Sequence, residues 1–318
     1  STTTTRYKTC DRWAIDVEGT TLGRYTMTQD SSAPSGFANS LKLACTTADT
    51  SIGAAELVSL NQPIEGQNVQ AFAKGTSDAK PFAVSFWVKG NASATYVCEL
   101  FDADNTRHVC KTFSVTTDWT RVEITFPADT TGAFGDDANA SLYLQIFLHA
   151  GSNFSSGTLP ATWASKTNAN RAAGGGSFFD STDRTFFITG VQLEVGQNAT
   201  EFESEPYDVT LKKCYRYTQL LEYPTSHYVT VGFAYDTTNM RSVITYDKKR
   251  STPSGTLSGT LTVFHSGNNS DDATISIQGI GVESARLEAA LTGESTTAGY
   301  ALGYFSGSAY TILLDAEI

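Results

Sequence analysis

Charged residues are scarce in this sequence, since Asp, Glu, Lys and Arg together account for 17% of its 318 residues. That fraction is low for a helical bundle, whose solvent-facing positions are largely charged. No run of about 18 apolar residues occurs, so no helix that spans a membrane is predicted. The polar start at Ser1 also lacks the apolar stretch of a signal peptide. We therefore expect no membrane insertion.

Catalytic signatures are also missing. The sequence contains no Gly-x-Ser-x-Gly elbow, no His-Glu-x-x-His zinc motif and no phosphate-binding loop. Its four histidines are scattered, and its 33 acidic residues mostly alternate with apolar residues or stand in turns. A glycosidase would need two carboxylates at a defined separation, which a sequence alone does not reveal. We therefore expect a protein that is not an enzyme and that carries no organic cofactor.

The net charge of −11 at neutral pH narrows the choice of partners. A surface of this sign repels phosphate backbones and anionic membranes, so we expect no nucleic-acid partner. A neutral glycan, a basic patch on another protein and a cation all stay open as partners at this point.

The strongest positive signal is a strict alternation of apolar and polar residues in short runs. It is clearest in residues 82–89, 142–149 and 191–195, which are separated from other such runs by turn-forming clusters. Alternation with a period of two indicates half-buried β-strands, and many short strands of this kind favour a sandwich or jelly roll. We assign Trp13 and Trp119 to the core of that sandwich. The predicted fold class is therefore all-β.

One segment departs from the alternation and divides the chain. Residues 208–223 have apolar residues at helical spacing between two prolines, which predicts a short linking helix. We expect a jelly-roll β-sandwich over residues 1–207 and a second small β-sandwich over residues 224–318. In the latter, the Gly- and aromatic-rich segment 299–307 predicts either a packed core or a subunit interface, so this domain is a candidate for oligomerisation or for the tip of a fibre.

Five cysteines occur without any Cys-x-x-Cys pair or zinc-type spacing. An odd number in a chain of this length favours reduced, buried thiols. Cys98 and Cys110, however, flank the turn-forming segment 102–106, and a hairpin centred on Asp104 would place them opposite each other. A cross-strand disulfide between them is then one interpretation, and two neighbouring reduced thiols are the other.

The same turn contains oxygen-bearing side chains that could bind a structural Ca²⁺ ion. Asp102 and Asp104, with Asn105, have a spacing that loosely resembles a calcium loop, although no downstream bidentate glutamate follows them. Hairpin turns rich in Asp and Asn are the alternative explanation, because these side chains hydrogen-bond their own backbone.

Aromatic residues are the most plausible glycan contacts, since the C–H faces of sugars stack on aromatic rings. Trp87, Tyr143 and Phe147 lie on strand faces opposite the apolar stripes, and Trp163 lies in a long connection, residues 151–183. We predict these four residues as candidate glycan contacts. The alternative is that they pack inside the sandwich or under its covering loops.

Four segments of the chain carry a resemblance to a known group of proteins. They are residues 7–13; 62–66 together with 83–89; 186–196 together with 199–203; and 214–217. In this order they resemble the tail-fibre and other appendage proteins of tailed phages, notably marine ones. The resemblance covers about residues 7–217 and is sharpest over residues 188–196, whereas the C-terminal domain matches only through its last five residues.

The resemblance implies a carbohydrate-binding-module-like jelly roll on the exterior of a virion, but it marks no ligand-binding residues. It therefore leads to the hypothesis of a fibre or appendage subunit, a homotrimer that binds other virion proteins and adheres to a host-surface glycan. Two alternatives stay open. One is a head decoration or tail-attached structural protein without glycan binding, and the other is a polysaccharide depolymerase or its accessory module.

Overall fold

A computed structural model describes residues 10–19, 22–265, 268–270, 273–291, 295–299, 301–306 and 308–317. The chain divides into two compact units, the first ending at Ser204 and the second running from Glu205 to Glu317. Within the described ranges, no helix is long and apolar enough to cross a membrane.

The first unit is built almost entirely of strands. In chain order these are β1 (Ala14–Glu18), β2 (Arg24–Asp30), β3 (Ser40–Thr47), β4 (Leu57–Glu65), β5 (Phe82–Gly90), β6 (Ala94–Asp102), β7 (Arg107–Val115), β8 (Thr120–Phe126), β9 (Ala140–Ala150), β10 (Ala164–Ser165) and β11 (Thr185–Val195). A one-turn helix, α1 (Ser152–Ser155), follows β9. Short 3-10 turns occupy Gly66–Asn68, Gln70–Phe72 and Asn168–Asn170.

These strands form two antiparallel sheets that pack face to face. One has the order β1-β4-β9-β6-β7-β10 and the other β2-β3-β11-β5-β8. The alternation in the sequence explains the packing. Val84 and Phe86 of β5 and Leu144 and Ile146 of β9 are each no more than 1% exposed, in one core between the sheets. The predicted jelly-roll sandwich is therefore confirmed, and its inner faces are the predicted apolar stripes.

Strand β11 contains an irregularity that matters for the site described below. It pairs with β3 only over residues 185–188, whereas its pairing with β5 continues to Val195 after a register shift between Thr189 and Gln192. Gly190 lies in this bulge with φ +59°, and a Cβ at this position would stand 2.5 Å from the Phe37 ring. Only glycine suits such a position. Beyond Ile188, β3 and β11 no longer pair with each other.

The second unit begins with a helix and continues as strands. Its elements are α2 (Tyr207–Tyr215), β12 (Thr218–Tyr223), β13 (Tyr228–Ala234), β14 (Asn239–Thr245), β15 (Ser254–Ser258), β16 (Leu261–His265), β17 (Asn268–Ser270), β18 (Thr274–Gln278), β19 (Ser284–Ala290), β20 (Ala301–Ser306) and β21 (Tyr310–Asp315). A three-stranded sheet, β12-β21-β15, and a seven-stranded sheet, β17-β16-β20-β13-β14-β19-β18, enclose a second core. This is the small β-sandwich predicted from the sequence.

The boundary between the units differs from the predicted linker at residues 208–223. Helix α2 does begin after Pro206, as predicted, but it ends at Tyr215. The rest of the predicted linker is strand β12, in which Leu221 pairs with Ile312 of β21. Leu220 is 47% exposed whereas Leu221 packs against the core, which is the alternation of a strand. Two adjacent leucines fit either period, so the helical spacing was extended too far.

The Gly- and aromatic-rich segment 299–307 is only partly described. Residues 300 and 307 of this prediction lie outside the described residues. Tyr304 is fully buried in the second core, so at this position the segment contributes to packing inside the unit.

Candidate functional site

An open cleft lies at the end of the first sandwich where β3 and β11 separate. Its volume is about 470 Å³, and its deep side is formed by Leu41, Ile188 and Val191, which belong to the core or pack against it. The remaining lining is polar or aromatic. It comes from Cys10, Asp11, Arg12, Trp13, Gln29, Asn39, Ser40, Gln62, Thr189, Gly190 and Phe202. The cleft therefore combines an apolar base with a polar and aromatic rim.

Two glutamines point into this cleft from positions that are otherwise apolar. Gln29 follows Tyr25 and Met27 on the inward side of β2, and Gln62 stands between Leu60 and Ile64 on the inward side of β4. Within the described part of the chain, neither side-chain amide makes a hydrogen bond to protein. Gln29 is exposed and Gln62 is half-buried, so the N–H₂ donor and carbonyl acceptor of each amide can bind water or a ligand.

Two aromatic side chains complete the cleft. Trp13 is half-buried against the core, in the turn where its backbone N–H donates to the carbonyl of Cys10. Phe202 is 37% exposed, with its ring centroid 5.1 Å from that of Phe37. The backbone before Phe202 is fixed because the Thr200 N–H donates to the Glu194 carboxylate at 2.8 Å. Burial raises the pKa of Glu194, but the hydrogen bonds from Thr200 and Gln192 outweigh it and hold that pKa below its usual value.

The cleft brings together three of the four segments that carry the resemblance to phage appendage proteins. Residues 10–13, Gln62, residues 188–191 and Phe202 all line it. Trp13 packs against the core, as predicted from the sequence, and also lines the cleft, whereas neither glutamine was predicted as a contact. One signal was available, however, because an amide in an apolar alternation marks an inward position that water or a ligand must satisfy.

Two of the predicted glycan contacts are buried. Trp163 is 8% exposed, its indole N–H donates to the carbonyl of Pro127 at 2.8 Å, and it packs in the core between the sheets. Phe147 is 2% exposed because Phe154 and Ala172, from the connection after β9, cover it. The prediction of these two rings as glycan contacts is therefore wrong, since both rings are buried and leave almost no surface for a sugar.

The other two predicted contacts lie on opposite faces of the sandwich. Tyr143 is half-buried on the outer face of the six-stranded sheet, 6.0 Å from Phe101. Trp87 is half-buried on the outer face of the five-stranded sheet. Trp119, assigned to the core, is half-buried on the same side as Trp87, 6.1 Å from the ring of Phe187. Neither Tyr143 nor Trp87 lines the cleft, and their roles as glycan contacts stay predictions.

Of the two interpretations of Cys98 and Cys110, the reduced thiols are confirmed and the disulfide is absent, because the hairpin is centred half a residue later than a disulfide would need. Asp102 pairs with Arg107, so Cys98 stands opposite Lys111 and Cys110 stands opposite Glu99. This offset of one residue places the two thiols on opposite faces of the sheet. Both are free and buried, and burial raises the pKa of each thiol.

We expect the mass of the intact protein to be the same with and without a reducing agent, since Cys98 and Cys110 face away from each other. Mass spectrometry of the protein after alkylation under denaturing, non-reducing conditions checks this. Blocking of all five cysteines is the expected result, and a missing pair of labels would contradict the register.

The predicted calcium ligands also have other partners. Asp102 is fully buried, and its carboxylate lies 2.5 Å from the ammonium of Lys74. Asp104 accepts a hydrogen bond from the backbone N–H of Gly135 at 2.8 Å. The Lys74 ammonium also donates to the carbonyls of Thr131 and Gly132, at 2.8 and 2.7 Å. Asp102 and Asp104 therefore have separate partners, and the cation beside Asp102 is the Lys74 ammonium.

A second buried polar cluster lies on the outer face of the six-stranded sheet. His108 Nδ1 is 2.7 Å and Cys110 Sγ is 3.6 Å from the same oxygen of Glu99, so these three groups could in principle hold a metal ion. Arg171 already binds that carboxylate, with its closest contact at 2.7 Å. A divalent cation would stand beside the guanidinium and be repelled by it, so these donors do not favour a metal. The pair instead anchors the connection after β9.

No family model matches the chain, and no curated protein matches it. Among solved structures, the enzymatically active domain of bacteriophage CBA120 tailspike protein 4 is 12% identical, with a TM-score of 0.32, over 58% of this chain and 19% of that chain. This chain thus matches about a fifth of the length of that domain's chain.

Two further structures are carbohydrate-binding modules. The family 11 module from Clostridium thermocellum, in complex with a β-1,3-1,4-mixed-linked tetrasaccharide, is 11% identical, with a TM-score of 0.30, over 60% of this chain and 91% of that chain. The tandem CBM22 domain from Paenibacillus barcinonensis Xyn10C is 11% identical, with a TM-score of 0.29, over 95% of this chain and 92% of that chain. At these scores the matches support no inference about what this chain binds.

Proposed function

We propose that the first unit binds a saccharide in the cleft between β3 and β11, and that the chain is a subunit of a tailed-phage appendage that adheres to host-surface glycans. One observation carries the binding proposal. The cleft combines two aromatic side chains, Trp13 and Phe202, with two side-chain amides, Gln29 and Gln62, that make no hydrogen bond to the described protein.

This combination matches the chemistry of a sugar. The C–H faces of a pyranose stack on aromatic rings, while its hydroxyls both donate and accept hydrogen bonds, as an amide does. The cleft volume of about 470 Å³ falls in the range of about 300–1,000 Å³ that small-ligand pockets occupy. Because the cleft opens to solvent, a polysaccharide chain can continue beyond the residues that it binds.

The virion setting rests on the resemblance of four segments to phage appendage proteins, and three of them line the cleft. Adhesion suits a repeated structure, because weak glycan sites become strong when several engage one surface together. In this proposal the chain is exposed on the outside of the particle and binds other virion proteins. The hydrolysis of polysaccharide is not part of the proposal, and a test for newly released reducing ends would reveal it.

We expect Gln62→Ala and Phe202→Ala each to weaken saccharide binding by about three- to tenfold, the loss of one hydrogen bond or one stacking contact of about 0.5–1.5 kcal/mol. An array of bacterial surface polysaccharides identifies the ligand, and titration calorimetry then measures the dissociation constant. Gln197→Ala is the matched control, because this glutamine is exposed and lies outside the cleft.

The control variant should bind like the wild type. Unchanged binding in both cleft variants would place the saccharide elsewhere, and Tyr143 and Trp87 would then be the next residues to replace. A wild-type protein that binds no polysaccharide on the array and no bacterial cell surface would contradict the adhesive function. Electron microscopy of antibody-labelled phage particles separately tests the exterior virion location.

A further inference from the structure

The seven-stranded sheet of the second unit has an outer face that is unusually apolar. Its inner face packs on the second core, yet Val231 and Phe233 of β13 and Val243 of β14 are 73%, 51% and 62% exposed. Phe264 of β16, on the same face, is 42% exposed. Single exposed apolar residues are ordinary on a protein surface, but a contiguous group of this size indicates an interaction site.

The register of the strands shows that these residues are contiguous. Phe264 stands opposite Gly303, which stands opposite Val231 on the other side of β20. Gly232 pairs with Ser242, so Val231 and Val243 are neighbours on adjacent strands. Gly303 itself has no side chain, and a Cβ there would stand 2.8 Å from the Tyr228 ring. The exposed ring of Tyr228 thus continues the apolar row across the glycine.

The charged side chains described on this face, Arg241, Arg286 and Glu288, form one cluster on β14 and β19. Arg241 lies with its guanidinium 3.6 Å from the centre of the Tyr235 ring and forms an ion pair with Glu288 at 3.3 Å. Arg286 binds the same carboxylate at 2.9 Å. Two guanidinium groups share this one carboxylate, so the cluster keeps a single excess positive charge beside the apolar row. The rest of the described face is apolar and therefore suits an apolar surface, such as the same face of a second copy.

The area of the face also fits association between copies. Aromatic side chains present about 150–250 Å² each, so the exposed fractions of Tyr228, Phe233, Tyr235 and Phe264 amount to about 400 Å². The two valines and the polar rim bring the face close to the ~800 Å² per partner of a stable interface. We propose that copies of this chain associate through the outer face of the seven-stranded sheet.

Salt gives a first signature of this mode of association. Each chain carries a net charge of −11, so copies repel one another at long range. Added salt screens that repulsion but leaves apolar contact intact. Association through this face should therefore become stronger between low and moderate ionic strength, whereas association through intermolecular ion pairs would become weaker.

The test is the mass of the full chain in solution, measured by light scattering over a range of concentrations. We expect a wild-type mass of two or three chains, and three chains would also support the homotrimer predicted from the sequence. Val231→Glu and Val243→Glu place a carboxylate in the middle of the face, and each should reduce the mass to that of one chain. Both side chains are mostly exposed, so the fold should tolerate the change, and circular dichroism verifies it.

Val282→Glu is the matched control. Val282 is 36% exposed and lies in the turn before β19, away from the apolar row. This variant should associate like the wild type. Three results would overturn the proposal: a wild-type chain that stays monomeric up to high concentration, an oligomer that survives both face variants, or an oligomer that Val282→Glu disrupts equally. The first of these would indicate that a different protein covers the face.

Discussion

Replacing Lys74 by methionine should destabilise the first unit by about 3–5 kcal/mol, because it leaves the buried Asp102 carboxylate without a countercharge. The Lys74 side chain is fully buried, and its ammonium lies 2.5 Å from Asp102 and 3.1 Å from Asp129. Those carboxylates are 0% and 5% exposed. Arg107 also contacts Asp129, but the Asp102 carboxylate would keep only hydrogen bonds from Asn105.

The measurement is chemical unfolding followed by tryptophan fluorescence. All four tryptophans, at positions 13, 87, 119 and 163, lie in the first unit, so the signal reports on that unit alone. Lys80→Met is the matched control, since Lys80 is exposed and follows Lys74 by only six residues. The control should change the free energy of unfolding by no more than about 0.5 kcal/mol.

A double variant separates the loss of charge from the loss of packing. Asp102→Asn removes the charge that Lys74 neutralises, so the double variant Lys74→Met/Asp102→Asn should be more stable than the sum of the two single losses predicts. Strict additivity would mean that the ion pair contributes little. A Lys74→Met protein within about 1 kcal/mol of the wild type would show that the buried carboxylates are relieved in some other way.

Lys74 also illustrates what the sequence could and could not provide. The strands, the two cores and the short helix follow from periodicity, which is a local property. The partners of Lys74 are Asp102 and Asp129, which are far from it in sequence and meet it only after the sheets pack. Asp102 stands at the start of a turn rich in Asp and Asn, so its local context suggested a solvated or metal-binding carboxylate. The cation that pairs with Asp102 is Lys74, which reaches it only through the tertiary fold.

The positions of the cysteines and of the cleft residues also depend on the register of strand pairing, which the local sequence does not fix. A hairpin centre that is shifted by half a residue moves Cys98 and Cys110 to opposite faces, and nothing in the turn sequence distinguishes the two centres. The inward glutamines of the cleft were visible as irregularities in alternating runs. That they face an open cleft follows from the bulge at Gly190, where β11 ceases to pair with β3. A local sequence pattern identifies inward polar residues, but it does not show which of them meet in the folded protein.

Replacing Glu99 by glutamine should destabilise the first unit by about 3–5 kcal/mol, because Arg171 would be left buried without a countercharge. Glu99 is fully buried and Arg171 is 5% exposed, with the two side chains joined at 2.7 Å. Arg171 belongs to the connection after β9, so this pair holds that connection on the sheet. Tryptophan-detected unfolding gives the loss, and limited trypsin digestion should show faster cleavage after Arg171 than in the wild type.

Glu99→Gln should also change how the free energy of unfolding depends on pH. Burial raises the pKa of Glu99, but the hydrogen bond from His108 and the charge of Arg171 outweigh it and leave the pKa below its usual value. A carboxyl group whose pKa is depressed in the folded state stabilises the protein above its unfolded-state pKa, about 4.3 for glutamate, and loses that contribution as the pH falls through the lower folded-state value.

The wild type should therefore lose stability below about pH 4, and Glu99→Gln should lose less over the same range. Glu203→Gln, which alters an exposed glutamate of the first unit, should follow the wild-type curve. An acid dependence in Glu99→Gln as steep as that of the wild type would assign the acid-sensitive step to other carboxylates, with Asp129 the first to test, because its pKa is also held low by Arg107, Thr131 and Lys74 against the effect of burial.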